Sequence, residues 1–459
     1  MKNILLLFIL GLSFFTATAQ FGPQQIITTN SSSAFSIIPY DINQDEFMDI
    51  ISGSSNKIVW HQNQDGLGDF SEEQIIVENI QSLGGIILSD FDNDGDVDII
   101  YKEFQNKIIW LENLNGLGDF GPKQILIESH PDYRVSSSVE DMDNDGDKDL
   151  IVNYTNTFNN YIVWYENLDG QGTLSDEILL IENLKEAYGP IIVDIDNDGN
   201  LDLLTSHENN GPAKLVWYRN LGNVVFGQEQ EIYQFDFFQS DWTSISYMQY
   251  VNINSDEDKD IVITAHNDDL GTFTYWLENL DNQGEFSSIN LISNVVGFYR
   301  FYDLNNDGDN DLLGLSSGGD RIYWKESENS QGTFNSQINI STEVNFPRDI
   351  RASDINGNGL LDVISASSGD NKIAWYENEV LGLVDQSENH FTLYPNPTEG
   401  QLNINSNQEI ILIEVYNLIG QKILETKTEF NISNFNSGIY FVKIKDTNGF
   451  SEVHKIIKE

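Results

Sequence analysis

The chain has 459 residues, of which 73 are acidic and 23 are Lys or Arg, giving a formal net charge of −50, and it contains no cysteine. That balance excludes nucleic acid and anionic membrane as partners, because phosphate-binding faces are basic. It also excludes disulfide cross-links, and a chain this long exceeds one ordinary core unless its architecture repeats. Residues 1–19 read as a signal peptide: Lys2, then the apolar run from Ile4 to Phe15, then the small residues Ala17-Thr18-Ala19 before Gln20. Neither that run nor any later one reaches the about 20 apolar residues of a membrane span. The expectation is an exported chain without a membrane span.

Residues 20–378 carry one nine-residue pattern seven times: DINQDEFMD from Asp41, DFDNDGDVD from Asp90, DMDNDGDKD from Asp141, DIDNDGNLD from Asp194, NINSDEDKD from Asn252, DLNNDGDND from Asp303 and DINGNGLLD from Asp354. Successive copies are 49, 51, 53, 58, 51 and 51 residues apart. A short apolar stretch precedes each copy (strand A) and another follows it (strand B). A Trp-centred run comes next (strand C: KIVWHQN, KIIWLEN, YIVWYEN, KLVWYRN, FTYWLEN, RIYWKES, KIAWYEN), and after a Gly turn a fourth run (strand D). Four short strands in a unit of about 50 residues predict a propeller blade. The phase predicts closure: FGPQQII at Phe21 is a D strand with no blade before it, and KIAWYEN is a C strand with no D after it. The fold class expected is all-β, a seven-bladed β-propeller followed by a small β-sandwich. The seven repeated Trp residues (Trp60, Trp110, Trp164, Trp217, Trp276, Trp324, Trp375) read as packing between blades, each able to bury about 150–250 Å².

The acidic pattern supplies oxygen at positions 1, 3, 5 and 9, and a hard divalent cation takes six to eight oxygen ligands. The candidate metal ligands are Asp41, Asn43, Asp45 and Asp49 in loop one; Asp90, Asp92, Asp94 and Asp98 in loop two; Asp141, Asp143, Asp145 and Asp149 in loop three; and Asp194, Asp196, Asp198 and Asp202 in loop four. They continue with Asn252, Asn254, Asp256 and Asp260 in loop five; Asp303, Asn305, Asp307 and Asp311 in loop six; and Asp354, Asn356, Asn358 and Asp362 in loop seven. Gly at position 6 permits a positive φ. An EF-hand is excluded, because its Glu at position 12 is replaced by Tyr101, Val152 and Thr205 in loops two to four. These seven in-phase copies resemble the FG-GAP or integrin-α-like (VCBS-type) propeller repeats, which implies calcium-binding loops joining strands A and B. Affinity follows ligand charge, so tight sites are expected in loops two to four and weak ones in five and seven. Loop one has Glu46, and loop five Glu257, where Gly is expected.

In a blade the A–B loops lie on one face, and the B–C and D–A loops on the other. The long B–C loops of repeats four and five and the D–A connection between them bring Phe237, Phe238 and Trp242 toward His207, Glu208, His266, Asp268 and Asp269, a candidate ligand-binding cluster. Arg134, Arg300, Arg348 and Arg351 fall in D–A segments or early A strands, where they either line the channel mouth for an anion or offset the acidic loops.

Residues 379–389 read as a linker. Residues 390–459 carry only 8 acidic against 6 basic residues, and their alternating strands predict a β-sandwich. Tyr394-Pro395-Asn396-Pro397, Val415-Tyr416-Asn417 with Gly420-Gln421, Gly438-Ile439-Tyr440 and the terminal Lys455-Ile456-Ile457-Lys458 resemble the type A C-terminal sorting domain of the type IX secretion system of Bacteroidota. The resemblance implies handling by that machinery, passage across the outer membrane, and attachment to the surface or release. The leading expectation is a monomeric, non-enzymatic glycan- or protein-binding, adhesin-like module. The alternatives are a propeller-type polysaccharide lyase or other carbohydrate-active enzyme, pairing His207 or His266 with Tyr188 or Tyr247, and a purely structural surface protein.

Overall fold

The computed structural model describes residues 21–103, 106–128, 132–156, 160–184, 188–208, 213–235, 243–254, 256, 258–267, 271–293, 297–316, 320–328, 332–379, 391–406, 410–417, 422–427, 431–446 and 451–458. The signal segment, most of the linker, Glu257, Phe237, Phe238, Trp242, Asp268 and Asp269 lie outside them. The chain divides into a unit of Phe21–Asn378 and a second containing the residues from 391 onward.

The first unit is all strand. Among the described residues it holds seven four-stranded antiparallel sheets. The first repeat sets the pattern: Ser36–Tyr40, Asp49–Gly53, Lys57–His61 and Gln74–Glu78, paired in that order. Strand B is buried throughout and strand C nearly so, whereas strand D is exposed or half-buried along its length. Each sheet is thus covered on both faces by its neighbours, which is why B and C read as continuous apolar runs. Neighbouring A strands approach one another, placing strand A innermost.

Closure follows the predicted phase. Gln25–Thr28 pairs with Lys372–Tyr376, completing the sheet of Asp362–Ser367 and Pro347–Ser353. The A strand of this last sheet lies beside the A strand of the first. The Trp joints run around the ring in the same sense. A Cβ added to the C–D turn glycine of the following repeat would stand 2.7 Å from the Trp60 ring at Gly118, 2.8 Å from Trp110 at Gly172, 2.5 Å from Trp217 at Gly284 and 2.4 Å from Trp276 at Gly332. Gly68 of the first repeat meets Trp375 of the seventh in the same way, at 2.3 Å. Where no turn glycine meets the ring, Val224 packs with Trp164, and Phe21 meets Trp324 edge-on at 6.2 Å.

A second belt runs through the residue three past each Trp, an Asn in six repeats and Ser327 in the sixth. Asn113 donates from Nδ2 to the Ile42 carbonyl at 3.5 Å, Asn167 to Phe91 at 3.0 Å and Asn378 to Leu304 at 2.6 Å, each reaching the preceding acidic loop. Asn63 reaches back across the seam to Ile355 at 2.8 Å.

In the C-terminal unit, Phe391–Tyr394 pairs with Asn403–Ser406, and a four-stranded sheet runs Lys422–Thr426, Ile410–Tyr416, Gly438–Asp446, Ser451–Lys458. Phe391, Leu402, Ile413, Val415, Val442, Ile444 and Ile456 form one core between them. Asn396 of the Tyr-Pro-Asn-Pro segment clasps the last strand, donating to the Lys455 carbonyl and accepting from the Ile457 N–H, both at 2.8 Å.

Candidate functional site

Among the described residues, six of the acidic loops are wound around their first residue. In loop two, Asp90 accepts the Asp94 N–H on Oδ1 and the Gly95 N–H on Oδ2, both at 3.1 Å. Loops one, three, four, six and seven repeat both bonds at 2.8–3.1 Å. The turn has two left-handed positions, not one. Position 6 is Gly with φ of 86–99° in loops two, three, four, six and seven; position 4 is Asn93, Asn144, Asn197, Asn306 or Gly357, with φ of 56–69°. Loop one takes the same path with Gln44 at 58° and Glu46 at 71°, so the Glu that departs from the pattern does not abolish the turn. The need at position 4 went unread in the sequence, although the recurrent Asn, tolerant of that region, carried the signal.

Position 9 differs from its role as a simple ligand. Asp49, Asp98, Asp149, Asp202, Asp260, Asp311 and Asp362 are buried. Each accepts on Oδ1, at 2.7–2.9 Å, the backbone N–H of the residue three past the Trp. In loops two to seven Oδ2 accepts the position 2 N–H at 2.9–3.2 Å. These aspartates therefore tie the acidic loop to strand C. Burial outweighs the donors and pushes Asp49, Asp98, Asp202, Asp260 and Asp311 up to about 7, and Asp149 and Asp362 up to about 6.

Among the described residues, acidic oxygens converge within 4.8 Å of one another in loops two, three and four: Asp90, Asp92 and Asp94; Asp141, Asp143 and Asp149; Asp143, Asp145 and Glu166; Asp194, Asp196 and Asp202. These are the loops that the sequence singled out by charge. Asp92 Oδ1 and Asp196 Oδ1 are buried without a hydrogen-bond partner. A cavity of about 420 Å³ at loop two is lined by Asp92, Asp94 and Glu112. Burial, then Asp94 and Glu112, push Asp92 up to about 6. An all-oxygen donor set with orphaned, mutually repelling carboxylates fits a hard divalent cation.

The residue two past each Trp was read only as strand, and it stands beside the loop in every repeat. Glu112 lines the loop-two cavity, and Glu166 joins Asp143 and Asp145. Gln62 donates to Asp45 at 3.4 Å. Arg219 holds Asp196 at 2.6 Å and Asp198 at 2.9 Å. In loops five, six and seven, Asn254, Asn305 and Asn356 donate to Glu278, Glu326 and Glu377 at 3.0–3.3 Å.

Of the cluster expected on the other face, His207, Glu208 and His266 fall among the described residues. His207 ends the strand Asp202–His207 and is 3% exposed, with Nε2 3.0 Å from Glu229, which also accepts from the Tyr218 hydroxyl at 3.1 Å. It is a buried side chain, not one presented on a loop. His266 is exposed, with Nδ1 2.9 Å from the Thr272 hydroxyl; Glu208 is half-buried. Tyr188 begins strand Tyr188–Val193, and Tyr247 packs edge-on against Phe298 at 5.8 Å. Arg300 and Arg351 flank Asp349 at 3.0 and 3.5 Å, so they answer an internal carboxylate. Arg134 is exposed. Arg348 donates to the Ser368 hydroxyl at 3.1 Å at the rim of a cavity of about 450 Å³, lined also by Ser33, Ser55, Ser82 and Phe298. Those residues belong to D–A and B–C segments and to the A strands of repeats six and seven, which places the cavity on the face away from the acidic loops.

Residues 41–101, 141–205 and 303–365 match the FG-GAP-like repeat, and residues 392–459 match the secretion system C-terminal sorting domain. No curated protein matches the chain. A solved structure described as "Structure of Dos1 propeller" is 10% identical over 72% of this chain and 76% of that one, with a TM-score of 0.43. Among the described residues no helix is long and apolar enough to cross a membrane. The chain is a β-propeller built of FG-GAP-like repeats and ends in a type IX sorting domain, which marks it for export to the cell surface or beyond.

Proposed function

We propose that this exported propeller is a non-enzymatic, calcium-stabilised module that recognises an extracellular glycan. Calcium, when bound, supplies the positive charge that lets the carboxylates of an acidic loop sit together. The chain's own part is to present oxygen from positions 1, 3 and 5 on a turn already wound by backbone N–H groups, with position 9 locking the turn to strand C.

The observation that carries the recognition reading is the cavity away from the acidic loops: four serine hydroxyls, the half-exposed Phe298 ring and Arg348. Hydroxyls for hydrogen bonding, an aromatic face for a sugar ring and a guanidinium for an acidic substituent form a lining suited to carbohydrate. A glycan array probed with the full chain in millimolar calcium tests it. Binding that Phe298→Ala and Arg348→Ala each weaken at least tenfold supports the reading. A folded, calcium-loaded protein that retains no glycan overturns it, and retention of an extracellular protein instead would move the module to that partner class.

A further inference from the structure

We infer that the side chain two residues past each repeated Trp sets the cation affinity of its own acidic loop, and that in loop four the Arg219 guanidinium takes over part of the cation's task. The inference rests on the calcium reading of the loops.

The same strand C position approaches every loop, but its charge varies. In repeats two and three it adds a fifth carboxylate, Glu112 or Glu166, to four aspartates. Loop two contains no cation to offset its carboxylates, and the buried Asp92 Oδ1 has no donor; in loop three Lys148 pairs with Glu140, just outside the loop, at 3.8 Å. In repeats five to seven the strand carboxylate meets an Asn at position 3, whose Nδ2 donates to it at 3.0–3.3 Å, so an amide and not a second carboxylate faces it. In repeat one both partners lack a second charge, since Gln62 serves Asp45 next to Asn43.

Repeat four is the exception. It keeps four aspartates, yet strand C gives Arg219, whose Nε stands 2.6 Å from Asp196 and whose Nη2 donates to Asp198 at 2.9 Å. The residues bridged are positions 3 and 5 of the candidate ligand set, and Asp196 is 5% exposed in its side chain. A guanidinium cannot lose its charge in the ordinary pH range, so this pairing needs no calcium to form. An arriving ion must either displace the guanidinium or share two carboxylates with a fixed positive charge. Counted at positions 1, 3, 5 and 9 alone, loop four ranks with two and three. With the strand C side chain added to those four positions, four aspartates against one guanidinium leave a net of −3, while loops two and three reach −5 and loop six −4, from Asp303, Asp307, Asp311 and Glu326. The order of affinity becomes two and three, then six, with four among the weak loops, and loop four holds its shape without metal.

Arg219→Glu converts WYRN to the WYEN of repeat three and gives the test. Calcium is titrated by calorimetry into the chelator-stripped full chain, and bound ions are counted by native mass spectrometry. At micromolar free calcium the variant is expected to hold one ion more than wild type, with at least a tenfold gain at that site. In chelator it should melt below wild type, and calcium should restore it. Glu112→Gln and Glu166→Gln should each weaken one tight site about tenfold, and Arg219→Gln, which avoids a new like charge, should give a smaller gain than Arg219→Glu. Equal ion counts and affinities in wild type and both Arg219 variants overturn the inference while leaving calcium binding intact. A wild-type chain that binds no calcium at all overturns the calcium reading, and this inference with it.

Discussion

Asp92 and Asp98 occupy positions 3 and 9 of one loop, and asparagine at each should have opposite signatures. Asp98 accepts two backbone N–H groups from inside the protein. An amide there turns an NH2 toward a donor, so Asp98→Asn should cost about 1–3 kcal/mol, in calcium and chelator alike. Asp92 has a buried oxygen without a donor, and Asp94 and Glu112 as neighbours. Asp92→Asn should leave the chelated protein as stable as wild type or more so, while lowering calcium affinity at least tenfold; thermal melts in both conditions decide it. His61 offers a pH test away from the loops. It is fully buried in strand C of repeat one, and burial pushes its imidazolium down to about 4. A depressed His pKa gives stability that is present above the unfolded value near 6.5 and lost as pH falls toward 4. Wild type should therefore lose about 2 kcal/mol relative to His61→Leu between pH 8 and pH 5, and parallel melts of the two proteins should not diverge if the imidazole is solvated. At this scale the spacing revealed which residues face the loops, because oxygen ligands recur. It could not distinguish Asp98 from Asp92, because a fold-fixing aspartate and a ligand are the same letter. Nor did it reveal Arg219 or Glu112, whose contacts span a strand and a turn.

Among the elements, the C–D turns connect local conformation to ring packing. Gly68 has φ +92°, and a methyl there would sit 2.3 Å from the Trp375 ring. Gly222 occupies the equivalent turn of repeat four at φ +96°, with nothing within 4 Å. Both alanine variants suffer the left-handed penalty of about 1 kcal/mol, but only Gly68→Ala overpacks a joint, at a further 1–3 kcal/mol or so. Gly68→Ala should therefore melt clearly below Gly222→Ala; equal melting temperatures would mean the Trp–Gly joints are slack. Strands were legible here because B and C are buried on both faces and Trp recurs in phase. The turn glycines read only as punctuation, since their contact partners lie one repeat away. The cavity beside Arg348 was invisible for the same reason: its lining comes from repeats one, two, six and seven, and loop length drew attention to repeats four and five instead.

For the ring as a whole, the phase of the first and last strands was enough to predict closure, and Gln25–Thr28 beside Lys372–Tyr376 is its structural form. What the phase could not convey is the collective electrostatics. Seven buried aspartates, one behind each loop, have carboxyls pushed up to about 6 or 7 by burial. An acid whose pKa is raised in the folded state binds more protons folded than unfolded between its ordinary value near 4 and its folded value. Its stability contribution is then present below about 4 and lost as pH climbs through 7. The chelated protein should accordingly melt at progressively lower temperature from pH 5 to pH 8, the reverse of the trend set by His61 alone. Calcium favours the ionised loops and competes with protons for the same charge deficit, so in millimolar calcium the decline should flatten, and the stabilisation by calcium should grow with pH. Melting curves at several pH values, with calcium and with chelator, read the slope directly. A chelated protein whose melting temperature rises from pH 5 to pH 8 would show that these seven carboxyls ionise freely in the fold, and that the charge behind the loops is dispersed by solvent and not by a bound ion.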